Sequence, residues 1–261
     1  MQILVGNQPL RIEIKGRPVG SATSAIALLH GWGRAGDDFD ELIALLRPQF
    51  PEWTFLQLDL PGFGGSPLAR EDGFSLQDYC TTLAALFKKL GPGRVTLIGH
   101  SLGGRIAIKF AAQFPDQVER LVLISAAGIR RRSLQRTLLG IARSLFNTTF
   151  FAVRDFVFIL RLKNLFGAVF GSRDYQVAHK ALRETLKKVL ADDLRSDAKK
   201  ISAPTLLLWG KNDQITPPRD AAEYHALIKG SRLEMLDGGH FIFLERPEEC
   251  TAHIASFLRN H

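Results

Sequence analysis

Six short apolar runs, each bounded by turn-forming residues, recur along the chain: residues 24–30 (SAIALLH), 54–60 (TFLQLDL), 94–100 (RVTLIGH), 120–125 (RLVLIS), 204–210 (PTLLLWG) and 232–238 (RLEMLDG). Their length and leucine- and β-branched-rich content predict strands. Between them lie stretches with apolar residues at helical spacing and acidic or hydroxyl residues near the start: 37–50, 75–90, 101–114, 217–229 and 247–260. These predict helices. Strands alternating with helices point to an α/β fold with a doubly wound, mostly parallel sheet, whose all-apolar strands are buried on both faces. One run departs from this: residues 10–16 (LRIEIKG) alternate apolar and polar, the pattern of a half-exposed antiparallel edge strand.

The rhythm breaks once. From 129 to 202 the pattern is helical without a convincing strand, which predicts a helical insertion between two strands and a core formed by residues 1–128 and 203–261. Within the insertion, residues 150–166 (FFAVRDFVFILRLKNLF) are apolar around most of a helix, with Arg154, Arg161 and Lys163 on a narrow polar side. Such a helix fits an apolar lid lining a pocket, and it fits equally the packing of the insertion's own core.

At 261 residues and 46% hydrophobic content the chain can bury a full-sized core. Its two cysteines, Cys80 and Cys250, lie far apart in helical patterns and read as small buried hydrophobes, which fits a reducing compartment. No secretory leader opens the sequence, and no run reaches the roughly 18 apolar residues of a spanning helix; a soluble, cytoplasmic protein is the expectation. The net charge of +8 is unevenly placed: residues 130–200 carry 16 Lys and Arg against 6 Asp and Glu, and the rest of the chain carries 18 against 20. The insertion therefore holds the whole positive excess. A solvated basic face explains it, as does attraction to an acidic partner, either an acidic carrier protein or an anionic membrane surface. No recognition motif for nucleic acid accompanies the charge.

Candidate chemistry centres on residues 95–108 (VTLIGHSLGGRIAI). Ser101 lies between Gly99 and Gly103, after a predicted strand and before a predicted helix, where a sharp turn would lift its hydroxyl above the sheet edge. A serine hydroxyl attacks only when a base takes its proton and an acid orients that base. Among seven histidines, His240 follows the last strand in a glycine loop and is the candidate base. His30 reads as bracing its own loop, and His100 as pointing away from the chemistry. Asp213, just after a strand in LLLWGKNDQITPP, is the candidate acid, with Asp59 and Asp237 as rivals that read better as a turn organiser and a strand end. The backbone N–H of Leu102 at the helix start and that of Trp32 in HGWG are candidate oxyanion donors. Trp32 and Phe241 are candidate pocket residues.

Together HGWG, LDLPGFGGS, GHSLGG, GKNDQITP and GGHFIFLERPEE resemble the α/β-hydrolase superfamily, in its branch of capped serine hydrolases that includes small carboxylesterases. The resemblance spans about residues 10–128 and 203–260, and the order Ser101, Asp213, His240 is the one it implies. It also implies a helical cap after the sixth strand, where the rhythm breaks, and chemistry that needs no metal or organic cofactor. Dehalogenases and epoxide hydrolases of the superfamily require an aspartate where Ser101 stands. Its carbon–carbon bond hydrolases often carry Asn before the nucleophile and Trp after the base, where this chain has His100 and Phe241, which leaves that reading a minor alternative.

The expected activity is hydrolysis of small-molecule carboxylic esters with short to medium apolar acyl chains through an acyl-enzyme. Two alternatives stay open within the same chemistry: a carrier-protein methyl ester esterase and a lactonase. A third is of another class, a ligand-binding receptor built on the hydrolase fold.

Overall fold

The computed structural model describes residues 1–131 and 172–260, with side-chain surroundings from Lys180 onward in the second stretch. The predicted apolar runs are strands: β3 (Ser24–Leu29), β4 (Trp53–Leu58), β5 (Val95–His100), β6 (Val118–Ile124), β7 (Thr205–Gly210) and β8 (Arg232–Leu236). Two further strands, β1 (Gln2–Val5) and β2 (Gln8–Gly16), precede them. The eight form one sheet in the order β1-β2-β4-β3-β5-β6-β7-β8. Pairing is parallel from β4 through β8 and antiparallel for β1–β2 and β2–β4.

Run 10–16 is antiparallel as its alternation predicts, yet it is not the edge. Residues 2–5 hairpin back onto it through a turn at Gly6 (φ +56°), so β1 takes the edge and β2 becomes an interior strand. A four-residue strand with Leu4 exposed carries too little pattern to announce itself. At the opposite edge, β8 is only half buried, its Arg232 and Glu234 paired at 2.5 Å. Charges on an edge strand of this kind discourage pairing with another chain.

The helices are α1 (Asp40–Leu46), α2 (Leu76–Leu90), α3 (Leu102–Gln113), α4 (Ser172–Ala191), α5 (Arg195–Ala198), α6 (Pro218–Leu227), α7 (Ile242–Glu245) and α8 (Pro247–Asn260) among the described residues. Successive strand residues point to opposite faces, and the core divides accordingly. Leu97, Leu121, Leu123, Leu207 and Trp209 join α2 and α3 through Leu83, Phe87, Ile106 and Phe110. Ile98, Val122, Leu206 and Leu208 join α1 and α8 through Leu42, Ile43, Ile254 and Phe257. Each of these fully buried side chains stabilises the fold by about 1.5–3 kcal/mol relative to exposure.

Cys80 and Cys250 are free and buried, and burial pushes both thiols up to about 12, so neither is a reactive thiolate near neutral pH. The described part of the segment between β6 and β7 contains the helices α4 and α5, joined to the strands by irregular stretches. Its last turn enters the core, for Leu194, Ala198 and Ile201 belong to the α2–α3 cluster. The lid reading of residues 150–166 falls outside the described residues, as does much of the basic excess. Among the described residues, no helix is long and apolar enough to cross a membrane.

Candidate active site

All the predicted site residues sit at the C-terminal ends of the parallel strands, on loops or, for Leu102, at the start of α3, the edge at which open α/β sheets bind ligands. Ser101 follows β5 and caps α3 with φ 51° and ψ −107°, a strained conformation for a residue with a side chain. The turn is enforced by close packing. A side chain on Gly99 would fall 2.5 Å from the Gly103 carbonyl oxygen, and one on Gly103 would run into the Leu29 carbonyl. Ser101 N–H donates to the Ile124 carbonyl at 3.1 Å, while its own carbonyl accepts from Arg105 and Ala127.

His240 and Asp213 meet. The Nδ1 atom of His240 lies 2.9 Å from Asp213 Oδ2, with both side chains nearly fully buried. Asp213 Oδ1 accepts from the backbone N–H groups of Ile215 (2.8 Å) and Thr216 (2.9 Å), and Oδ2 also accepts from Thr216 Oγ1 at 2.7 Å. Burial raises the Asp213 pKa, but the bonds from His240 and Thr216 outweigh it and hold the carboxyl below its usual range. Asp213 is therefore ionised and fixes His240 with a proton on Nδ1, leaving Nε2 free to accept one. Among the described residues the Ser101 hydroxyl is not hydrogen-bonded to His240, a contact that often forms only around bound substrate.

The two rival acids are otherwise engaged. Asp59 accepts from Gly36 N–H (2.8 Å), Gly65 N–H (2.7 Å) and Arg11 (3.1 Å), tying three loops together. The Asp237 carboxylate accepts from Asn212 Nδ2 at 3.3 Å on the exposed rim, and its main-chain carbonyl from Arg246 Nε at 3.1 Å.

The candidate oxyanion donors border Ser101. Leu102 is the first residue of α3, whose initial N–H groups lack intrahelical partners. Trp32 follows Gly31, and a side chain on Gly31 would fall 3.5 Å from Ser101 Cβ and 2.9 Å from His100 Nδ1. His30 braces this loop: Nδ1 donates to the Gly31 carbonyl at 2.7 Å and Nε2 accepts from Leu60 N–H at 2.9 Å. Its burial lowers its pKa and keeps it neutral. The indole of Trp32 is 36% exposed and meets Phe63 edge-on at 5.0 Å, which gives the rim an apolar surface. Phe241 packs on His240 (5.2 Å between centroids) with the Arg34 guanidinium 5.5 Å from its centre.

Three features were not legible in the sequence. His100 does not point away: its ring is buried 4.8 Å from that of His240, because the loop after β8 reaches back across the ends of β7 and β6 to the end of β5. Thr216 bonds Asp213, and its hydroxyl also reaches the Ser125 carbonyl at 3.1 Å. The Asp-x-x-Thr spacing, typical of side chain-to-backbone turns, was the available signal. Ser125 itself, at φ 45°, is the second strained serine and ends β6 beside the first. Among the described residues no cluster of His, Cys, Asp and Glu could hold a metal ion.

The family model of the alpha/beta hydrolase fold matches residues 25–247. An uncharacterised hydrolase of Bacillus subtilis, YugF, is 27% identical over 250 residues, covering 90% of this chain and 89% of the relative. A pimeloyl-[acyl-carrier protein] methyl ester esterase of Neisseria meningitidis is 28% identical over 263 residues, covering 95% of this chain and 99% of the relative. The crystal structure of the enol-lactonase from Burkholderia xenovorans superposes with a TM-score of 0.78 at 24% identity, covering 99% of this chain and all of the other.

Proposed function

Because the chain belongs to the alpha/beta-hydrolase family, we propose that it is a serine esterase in which Ser101 is the nucleophile, His240 the general base and acid, and Asp213 the group that orients and stabilises the imidazolium. The observation that carries this reading is the buried His240–Asp213 pair at 2.9 Å, on the same sheet edge as a serine held at φ 51°.

Ser101 Oγ bonds to the ester carbonyl carbon as His240 Nε2 takes the hydroxyl proton. The tetrahedral oxyanion is stabilised by the N–H groups of Leu102 and Trp32. Collapse expels the alcohol oxygen, which receives the proton from His240. Water, deprotonated by the same imidazole, then attacks the acyl-enzyme and releases the acid and Ser101. Trp32, Phe63 and Phe241 at the rim support a preference for short to medium apolar acyl groups.

A second reading, cleavage of a methyl ester carried on an acidic carrier protein, is favoured by the activity named for the Neisseria relative and by α4. Lys180, Arg183 and Lys187 are exposed at spacings that put them on one helical face. An anionic membrane surface would be drawn by the same charges.

One experiment separates these readings: kcat/KM for p-nitrophenyl esters graded by acyl length, a lactone, and an acyl-carrier methyl ester, at low and high salt. The esterase reading expects turnover of the small esters that Ser101→Ala lowers at least about 10³-fold with an unchanged melting temperature. Salt should slow only the carrier-bound substrate if the basic face recruits it, since attraction between exposed charges is screened over about 10 Å at 0.1 M salt. Wild-type turnover in a folded Ser101→Ala variant would remove the esterase reading. Binding without turnover of any ester would favour a receptor.

A further inference from the structure

His100 occupies the last position of β5, immediately before the nucleophile, and its imidazole is buried to 1% exposure. Its Nε2 lies 3.0 Å from the main-chain carbonyl oxygen of His240. A carbonyl only accepts, so Nε2 carries the proton and donates it, and in the neutral ring Nδ1 is a bare acceptor. That Nδ1 has no hydrogen-bond partner among the described residues. It faces Gly31 in the loop that offers the Trp32 N–H. The same ring packs on His240, Phe241 and Phe243 at centroid distances of 4.8, 5.2 and 4.9 Å. A buried acceptor left unpaired is a cost that an aliphatic residue at this position would not carry. The geometry therefore needs a reason specific to the donor on the other nitrogen.

We propose that His100 is a positioning residue for the catalytic base: its Nε2–H, bonded to the His240 carbonyl, fixes where the imidazole of His240 stands relative to Ser101. The inference rests on the reading of His240 as the base. Asp213 fixes the rotation of the His240 ring but bonds only its side chain. The loop's backbone is held from three other directions: Asn212 N–H donates to Gly238 (2.9 Å), Glu245 accepts from Gly239 N–H (2.6 Å), and His100 donates to His240 itself. Only the last contact acts on the base's own peptide unit, and it comes from the residue bonded covalently to the nucleophile. Base and nucleophile are thereby referenced to one point.

The ring's charge state serves the same end. Burial, then the neighbouring His240, hold the His100 pKa well below the ordinary histidine value, while Asp213 and Arg34 are the other charged groups acting on it. A neutral ring leaves the positive charge that develops on His240 during attack unopposed.

The test compares His100→Phe, which keeps a buried ring without a donor, with His100→Gln, whose amide N–H reaches about as far as Nε2. The readouts are kcat and KM on a p-nitrophenyl ester and the melting temperature. His100→Phe should lower kcat about 10- to 100-fold with KM within about twofold, the scale of loss that follows an ångström of misplacement. His100→Gln should regain most of it. If His100→Phe fails to fold, His100→Asn takes its place, since that amide is too short to reach the carbonyl. Wild-type kcat in the variant lacking the donor, or equal loss in the Gln variant, overturns the inference. In either case an inactive Ser101→Ala shows that the esterase reading itself stands, whereas a fully active Ser101→Ala removes both.

Discussion

At the scale of single residues, the proposed acid Asp213 is distinguished from its rivals by what its two oxygens accept. Asp213 takes four bonds, and the one from His240 Nδ1 determines which tautomer the base adopts. Asn at 213 would place its amide oxygen or its NH₂ against Nδ1; with Oδ1 held by two backbone N–H groups, the NH₂ falls on the His240 side. The imidazole would then have to accept on Nδ1 and carry its proton on Nε2, where it cannot act as a base. Asp213→Asn should accordingly lower kcat/KM by about 10³- to 10⁴-fold. Asp237→Asn should stay within about twofold, because the Asp237 carboxylate bonds an exposed Asn212 amide on the rim. Steady-state kinetics on one activated ester rank the two, and the reverse order would move the acid to Asp237. That Ser101, Asp213 and His240 share one sheet edge was legible in the sequence, because each stands just past a strand among glycines or prolines. The contacts of His100 and Thr216 were not, since they depend on which loops and strand ends the fold brings together, a relation between residues as far apart as 100 and 240.

Among the elements, α4 shows how the inserted segment is seated on the core. Its Thr185 is buried; the hydroxyl donates to the Ala181 carbonyl and accepts from Phe74 N–H, both at 2.8 Å. Lys188 adds a bond to the Gly73 carbonyl at 3.2 Å. The buried Phe74 N–H has this hydroxyl as its acceptor, so Thr185→Val, which keeps shape and volume, leaves a donor unsatisfied. The expected loss is about 1–3 kcal/mol, read as a lower urea midpoint with an unchanged m-value. An unchanged midpoint would mean that the loop before α2 finds another acceptor. A helical pattern at α4 was legible from its spacing, as were α1, α2, α3, α6 and α8, whereas the four-residue α7 was not. The β1 edge was not, because four residues cannot carry a periodicity.

For the whole molecule, two neutral imidazoles set how stability responds to acid. His30 is held below its ordinary pKa by burial, and His100 by burial and then by His240. The unfolded chain protonates both near pH 6.5, whereas the folded chain resists until lower pH. Their contribution to stability is thus complete above about pH 6.5 and declines as the pH falls below it, by at most about 1.4 kcal/mol per pH unit for each group. Urea unfolding at pH 7.5 and 5.5 should show this decline, and His30→Gln should make it shallower. An identical slope in the variant would assign the effect to other groups.

The strand order also divides the molecule's chemistry along its length. The first six strands are contiguous in the sheet and carry Ser101, the proposed nucleophile, just past β5; β7 and β8, which carry the proposed acid and base on the loops that follow them, are added at one edge through the β6–β7 pairing of Leu121–Ile124 with Thr205–Leu208. A break in the connection between β6 and β7 would yield one fragment with a serine and no base, and another with a base and no serine. Neither piece has a means of hydrolysis by this mechanism, and their mixture regains it only where that single strand-to-strand seam has closed. Ester turnover would then serve as an optical signal for the reassembly of a parallel sheet, including its rate and its dependence on fragment concentration.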